Sequence, residues 1–152
     1  MNTIEKVFPY YMKDIVIPEI AKEQEIHVFR ACRTGVVDKD SFLNSFEENN
    51  FQPLSMLDIN DPQNYSLSTY YKFKDVKRFA MINSDLQVPY IIAEGITNPR
   101  DGICAKTRDW LIKEKGKKPR TSHVDWWLYK DARPWENFKE INKDEFDYKH
   151  IQ

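Results

Sequence analysis

Several side chains in this sequence of 152 residues have chemistry that suits binding of a polar ligand or catalysis. Arg30 stands in the apolar run IHVFRA, and an arginine guanidinium binds phosphate through a fork of charge-assisted hydrogen bonds. Ser66, Ser68 and Thr69 place hydroxyl groups close together, and hydroxyls can hold a polar ligand. Asp125 stands beside two tryptophans in SHVDWWLY, where a carboxylate either faces solvent or has its pKa controlled by a partner. A carboxylate of the second kind is a candidate for catalysis.

The residues around these side chains predict β-strands. Aromatic and β-branched residues suit a pleated, half-buried surface, and glycine, proline or polar residues bound the stretches that contain them. The predicted strands are residues 26–31, 65–73, 90–93 and 123–129. Because side chains alternate along a strand, the last of these should place His123, Asp125, Trp127 and Tyr129 on one face.

A helical period occurs between the second and third predicted strands. Val76, Phe79 and Ala80 stand at spacings of three and four, which predicts a helix over residues 74–82 with one apolar face. Asp38 is expected to cap another short helix. The residues predicted to form the core are Val76, Phe79, Ile91, Val124, Trp126 and Leu128.

The remaining segments predict short helices and loops. Residues 105–115 carry alternating charges and stop at Gly116, which is typical of a surface helix. Pro9 and Pro18 interrupt the apolar spacing of residues 1–25, so this part should contain short helical pieces rather than one long helix.

These elements predict an α+β fold with a central, mostly antiparallel or split sheet and short flanking helices. We expect a single globular domain over residues 1–152, with an N-terminal helical part at 1–25, a core sheet domain at 26–141 and an acidic tail at 142–152. No apolar run is long enough to cross a membrane, and the N-terminus does not have the pattern of a signal peptide, so we expect a cytoplasmic protein.

The net charge and the positions of glycine, cysteine and histidine argue against several classes of ligand. The net charge of −1 argues against a broad nucleic-acid surface, although the run KEKGKKPR at residues 113–120 is either a solvated loop or a contact for phosphates or an acidic partner. The four glycines form no phosphate-binding loop motif. The cysteine and histidine residues lack metal-ligand spacing, so we expect no metal, and Cys32 and Cys104 are expected to be free thiols.

Together, the segments HVFRACR, SLST followed by DVKRFA, VPYIIAEG and HVDWWLY resemble the motif strands of the ADP-ribosyltransferase-like superfamily. The resemblance implies an NAD-utilising transferase or hydrolase, with NAD as substrate. It implies that Arg30 grips the pyrophosphate, that Ser68 shapes the pocket, and that Asp125 is the catalytic carboxylate where the family usually has glutamate. On this interpretation Asp125→Ala abolishes NAD turnover and leaves the fold intact. The residues implied to bind the dinucleotide are Arg30, Ser66, Thr69, His123, Trp127 and Tyr129.

A second interpretation is a small non-catalytic binding or inhibitor protein. Such a protein would dock a partner or a nucleotide-type ligand through exposed aromatic residues around Trp126, Trp127 and Trp135. The composition, rich in Asn, Lys and Ile, suits a low-GC bacterium or its phage or plasmid, where both kinds of protein occur. An enzyme requires Arg30, Ser68 and the Asp125 carboxylate to converge on one cleft, whereas a binding protein does not.

Overall fold

A computed structural model describes residues 5–84 and 89–141. Its six strands are β1 (His27–Cys32), β2 (Leu67–Tyr70), β3 (Ile91–Ile96), β4 (Gly102–Lys106), β5 (His123–Leu128) and β6 (Lys139–Glu140). They form one sheet in the order β4-β5-β2-β1-β3-β6, and every registered pair of neighbours is antiparallel. The prediction of an α+β fold with a central antiparallel sheet is confirmed.

Three short α-helices accompany the sheet. They are α1 (Ser45–Glu48), α2 (Phe73–Asn83) and α3 (Leu111–Lys115). The longest of them has 11 residues, so no helix in the described part of the chain has the length or the apolar character to cross a membrane. Short 3-10 turns connect several of the elements.

Helix α2 forms where the sequence predicts it, and it packs on the sheet through one face. Val76 and Ala80 are buried against Phe29 and Ile92 of the central strands, as the helical spacing requires. Phe79 was wrongly predicted to belong to the core. Its side chain is 36% exposed because it projects from the margin of the buried face, where its ring lies near those of Tyr70 and Tyr90.

Strand β2 is shorter than the predicted strand at residues 65–73. Its N-terminal side is preceded by a 3-10 turn, Pro62–Tyr65, which the Asp61 carboxylate caps by accepting a hydrogen bond from the Gln63 backbone at 2.9 Å. Its C-terminal side is limited by Phe73, which already begins α2. The 3-10 turn on one side and α2 on the other therefore override strand propensity at the two ends of the predicted strand.

Strand β4 was missed, because residues 105–115 were predicted to be one helix. Ala105 instead pairs with Asp125, and only Leu111–Lys115 is α-helical, ending at Gly116 with a positive φ of 64°. The pairing of β4 and β5 also depends on Gly102, since a Cβ at this position would overlap the Trp127 carbonyl oxygen. A tertiary pairing has overridden the helical pattern of this segment.

The N-terminal segment contains less helix than expected. Within residues 5–25, the only helical element is the 3-10 turn Tyr10–Met12, which directly follows Pro9. Lys22 then forms an isolated antiparallel bridge with Cys104 and so lies along the free edge of β4. Most of this segment therefore has no regular secondary structure, apart from turns. The predicted acidic tail lies outside the described residues.

The sheet is buried on both faces. One face is covered by a single apolar cluster, and its members include Val28, Cys32, Leu67, Val124 and Trp126. The other face carries two separate clusters, one built on Trp127 and Trp110, and one built on Phe29 and Val76. Among the predicted core residues, Val76, Val124 and Trp126 are buried, while Ile91 and Leu128 are half-buried against the first cluster.

Asp101, in the turn before β4, should make stability depend on pH. It is buried, one of its carboxylate oxygens has no partner among the described residues, and burial raises its pKa although Arg100 opposes the shift. A raised pKa means that the unfolded chain ionises first, so ionisation of Asp101 destabilises the fold. We therefore expect the unfolding free energy of Asp101→Asn, relative to wild type, to increase as pH rises through the ordinary aspartate range near about 4. Urea unfolding at several pH values measures this difference, and a constant difference would contradict the assignment.

Candidate functional site

The three strands that carry the candidate site residues are neighbours at the centre of the sheet. Although β1, β2 and β5 are far apart in sequence, their spatial order is β5-β2-β1. β2 and β5 are paired along their length, and Ser68 lies directly opposite Asp125. β1 and β2 share only one registered pair, Phe29 with Tyr70, whereas β1 and β3 are registered over the whole of β1. β1 and β2 are therefore paired only at this one position, and the two strands separate from each other beside Ser68.

Asp125 is completely buried, with 0% exposure, and protein donors hold both of its oxygens. Ser66 Oγ donates to Oδ1 at 2.7 Å. Thr107 Oγ1 donates to Oδ2 at 2.7 Å, and the indole N–H of Trp110 donates to the same oxygen at 3.1 Å. A buried carboxylate needs such donors because it has lost its hydration. Asp125 is thus the buried carboxylate on which the hydrogen bonds of the site converge.

His123 links this buried carboxylate to a partly exposed hydroxyl. Its Nδ1 lies 2.6 Å from Thr107 Oγ1 and 3.6 Å from Asp125 Oδ1, and its Nε2 lies 2.9 Å from Ser68 Oγ. The side chain of His123 is 18% exposed, and Ser68 is half-buried. The Ser68 hydroxyl and the imidazole therefore form the part of the network nearest to solvent.

Arg30 does not join this site as expected. Because side chains alternate along a strand, Arg30 lies on the same face of the sheet as Val28 and Cys32, which belong to the large apolar cluster. Ser68 and Asp125 lie on the opposite face. The Arg30 side chain is 7% exposed. The predicted pocket formed jointly by Arg30, Ser68 and Asp125 is therefore wrong.

The guanidinium group of Arg30 is occupied by protein acceptors. It donates to the backbone carbonyl oxygens of Ser41 and Ser68, each at 2.9 Å, and to that of Leu43 at 3.4 Å. Its charge is paired with Glu48 at 3.4 Å. Arg30 thus binds the backbone of β2 at the point where β1 and β2 separate.

Arg33 is the more accessible cation near this separation. It lies 3.6 Å from Glu48 Oε2, the same oxygen that contacts Arg30, and its side chain is 50% exposed. A contact series therefore runs from Arg33 through Glu48 and Arg30 to the Ser68 carbonyl oxygen. The sequence segment HVFRACR contained this second arginine, but its pattern could not show which of the two remains free for a ligand.

Four other predicted ligand contacts are buried or engaged within the protein. Thr69 lies on the opposite face and donates to the Val124 carbonyl oxygen at 3.1 Å. Trp127 is 0% exposed and donates to the Pro62 carbonyl oxygen at 2.9 Å, so it cannot stack on a ligand. The Ser66 hydroxyl donates its hydrogen bond to the Asp125 carboxylate, as described above. Tyr129 donates to Glu23 at 3.0 Å, and burial, together with this hydrogen bond, raises its pKa to about 12.

Tyr70 is an aromatic residue that lies beside His123 and that was not predicted from the sequence to be among the ligand-binding residues. Its ring lies 5.5 Å from the imidazole in an edge-on arrangement, and the two residues are registered partners across β2 and β5. Burial raises the pKa of Tyr70, so its hydroxyl remains protonated at neutral pH. Alternation within β2 places it on the face of Ser68, a signal that the sequence contained.

Thr107 and Trp110 were not identified from the sequence. Both were assigned to a surface helix, but Thr107 begins a 3-10 turn directly after β4, and Trp110 follows it. Antiparallel pairing of β4 with β5 brings this turn against Asp125. No spacing rule connects Thr107 with the distant Asp125, so only the sheet pairing could reveal the contact.

The surface expected for a binding protein is not formed by the tryptophans. Trp126 and Trp127 are completely buried, and Trp135 is half-buried against the large apolar cluster. The basic run at residues 113–120 is largely exposed, but Lys115 is ion-paired with Asp61 and thereby ties α3 to the turn before β2.

Metal and thiol chemistry receive no support from the described residues. No group of three or more His, Cys, Asp and Glu side chains in this part of the chain could hold a metal ion. Cys32 and Cys104 are free and buried, and burial raises both thiol pKa values, that of Cys32 to about 11. A protonated thiol is a poor nucleophile. The Cys104 thiol also contacts the Thr97 hydroxyl.

Comparisons with known proteins leave the site to be interpreted from its own geometry. No protein-family model, no curated protein and no solved structure matches this chain.

Proposed function

We propose that this protein is an NAD-utilising transferase or hydrolase of the ADP-ribosyltransferase-like class. One observation carries the proposal. The strands that bear Ser68 and Asp125 are paired at the centre of one sheet, with these two residues directly opposite each other, while Arg30, on the next strand, has its side chain on the other face. Ser66, which directly precedes β2, also contacts the carboxylate through the 2.7 Å hydrogen bond to Asp125.

The chemistry of the site suits cleavage of a glycosidic bond. Breaking the bond between nicotinamide and ribose develops positive charge on the ribose in an oxocarbenium-like transition state. Asp125 supplies a fixed negative charge beneath His123 and Ser68, and its complete burial strengthens the field that it exerts. The proposed position of the ribose is therefore above Ser68 and His123, beside the separation between β1 and β2.

Phosphate binding is assigned to Arg33 in this proposal, because the donors of Arg30 are occupied by the protein. Arg33 is half-exposed and, within the described part of the chain, has one carboxylate contact, with Glu48, at 3.6 Å. A phosphate group can compete for such a guanidinium through charge-assisted hydrogen bonds. Arg30 then has a positioning role: by holding the Ser68 carbonyl oxygen it fixes the backbone that orients the Ser68 hydroxyl.

The test is release of nicotinamide from NAD, measured by chromatography over a range of NAD concentrations. Wild type is expected to release nicotinamide. Arg33→Ala is expected to raise KM about 10-fold or more, since a hydrogen bond to a charged group contributes about 1.5–3 kcal/mol. The matched control is Arg133→Ala, because Arg133 is an exposed arginine that is also paired with one glutamate, Glu136.

Two results would contradict the class assignment, and a third would contradict the assignment of phosphate binding to Arg33. If wild type neither binds NAD nor releases nicotinamide, the class assignment is wrong. If NAD binds and remains intact, the protein is a nucleotide-binding protein without catalytic activity, which is the second interpretation of the sequence. If Arg33→Ala and Arg133→Ala have equal KM values, the phosphate is bound elsewhere.

A further inference from the structure

We infer that Ser68 is a nucleophile, activated by His123 through a relay that continues over Thr107 to Asp125. In the proposed reaction Ser68 attacks the ribose of NAD and becomes covalently ADP-ribosylated. The attack of Ser68 on NAD rests on the proposed function, whereas the activation of Ser68 by His123 rests on the geometry of the site alone.

The protons of the relay can be assigned from its hydrogen bonds. A carboxylate accepts and cannot donate, so the single hydroxyl proton of Thr107 is directed to Asp125 Oδ2 at 2.7 Å. Thr107 Oγ1 must then accept at its 2.6 Å contact with His123, which places a proton on Nδ1 of the imidazole. The Nε2 of a neutral imidazole with this tautomer is an acceptor, and the group it faces at 2.9 Å is the Ser68 hydroxyl.

This arrangement is that of a nucleophile, a base and a group that orients the base. Ser68 Oγ and His123 Nε2 are within the distance over which a general base removes a proton. Thr107 and Asp125 are buried, so they hold the imidazole in one tautomer and stabilise the imidazolium that forms. Ser68 is the half-buried end of the relay, whereas Asp125 at the other end is completely buried.

The covalent step balances without a further reactant. His123 Nε2 accepts the proton of the Ser68 hydroxyl as a bond forms between Ser68 Oγ and C1′ of the ribose. The C1′–N bond to nicotinamide breaks, and its electron pair goes to the ring nitrogen, so the pyridinium leaves as neutral nicotinamide. The imidazolium then returns its extra proton to solvent.

The experiment has one arm that requires NAD and one that does not. In the second arm, a fluorophosphonate forms a bond from phosphorus to an activated serine oxygen and loses fluoride, and peptide mapping locates the label. We expect wild type to be labelled at Ser68 and Ser68→Ala to be unlabelled there. His123→Gln should slow labelling by about 100-fold or more, the usual contribution of a general base. The controls are Ser55→Ala and His27→Gln, which alter an exposed serine and an exposed histidine.

The relay itself is tested at Thr107, which acts as a positioning residue. Thr107→Val removes the hydroxyl between His123 and Asp125 and should slow the labelling of Ser68, whereas Thr107→Ser keeps the hydroxyl and should restore the rate. Thermal unfolding of both variants separates this effect from a loss of fold. Equal labelling rates in the folded valine and serine variants would overturn the relay.

The NAD arm uses acid-quenched intact mass spectrometry beside the nicotinamide assay. An ADP-ribosyl adduct on Ser68 of wild type, absent from Ser68→Ala, supports the whole inference. If the fluorophosphonate labels Ser68 but no nicotinamide is released, Ser68 is a nucleophile as inferred, and both the NAD step and the proposed function are wrong. Nicotinamide release that Ser68→Ala retains, with no label on Ser68 in wild type, overturns the inference and leaves the proposed function standing.

Discussion

Replacing Trp126 with alanine is expected to lower the free energy of unfolding by about 3–5 kcal/mol. Trp126 is 0% exposed and lies opposite Leu67 and Cys104, its registered partners in the strands on either side of β5. Its ring also packs on Phe138, with the ring centroids 6.0 Å apart. The indole N–H has no hydrogen-bond partner among the described residues, so the expected loss comes from packing and from the cavity left behind.

Urea unfolding followed by circular dichroism measures this loss. Phe79→Ala is the matched control, because it removes another large aromatic ring from a side chain that is 36% exposed. We expect the control to lose about 1 kcal/mol or less, since a partly exposed ring leaves no closed cavity. If Trp126→Ala also loses only that amount, Trp126 is not the centre of the large apolar cluster.

Replacing Asp125 with alanine is expected to remove both activity and stability. The substitution leaves the buried donors of Ser66, Thr107 and Trp110 without their acceptor. Each unsatisfied buried donor costs about 1–3 kcal/mol, so we expect a total loss of about 3–5 kcal/mol after partial relaxation. The expectation that Asp125→Ala leaves the fold intact therefore changes once the burial of this carboxylate is known.

Asp125→Asn separates the two effects. It keeps the size of the side chain and one acceptor oxygen, so it should unfold at a lower urea concentration than wild type and at a higher one than Asp125→Ala. Nicotinamide release should be lost even where the variant remains folded, because the fixed charge beneath the site is absent. The control Asp131→Asn changes an exposed aspartate. Full activity in folded Asp125→Asn would contradict the electrostatic role of the carboxylate.

Much of the fold follows from local patterns that the tertiary structure leaves unchanged. The alternation in SHVDWWLY predicted β5 almost to its ends, and the spacing of Val76 and Ala80 predicted the buried face of α2. Capping by Asp38 was also predicted, and its carboxylate accepts a hydrogen bond from the Ser41 backbone at 3.0 Å. Each of these features depends on residues that are near one another in sequence.

The errors occur where a distant partner decides the local structure. The segment around Ala105 has the charge pattern of a helix, yet it forms β4 because its backbone pairs with β5. Phe79 has helical spacing with the core residues but stands at the margin of the helix face. The helical spacing of apolar residues shows which face of a helix they share, but the extent of the neighbouring sheet decides how much of that face is buried.

The sequence by itself determined the identity of the polar side chains and which of them share a strand face. Alternation alone groups His123 with Asp125, and Ser66 with Ser68. Only the tertiary structure decided how those faces meet: antiparallel register places Ser68 opposite Asp125 and brings Thr107 to both His123 and the carboxylate. It also decided that Arg30 is turned away from them. The physical reason is that parity is a property of one strand, whereas register between strands is set by long-range pairing and burial.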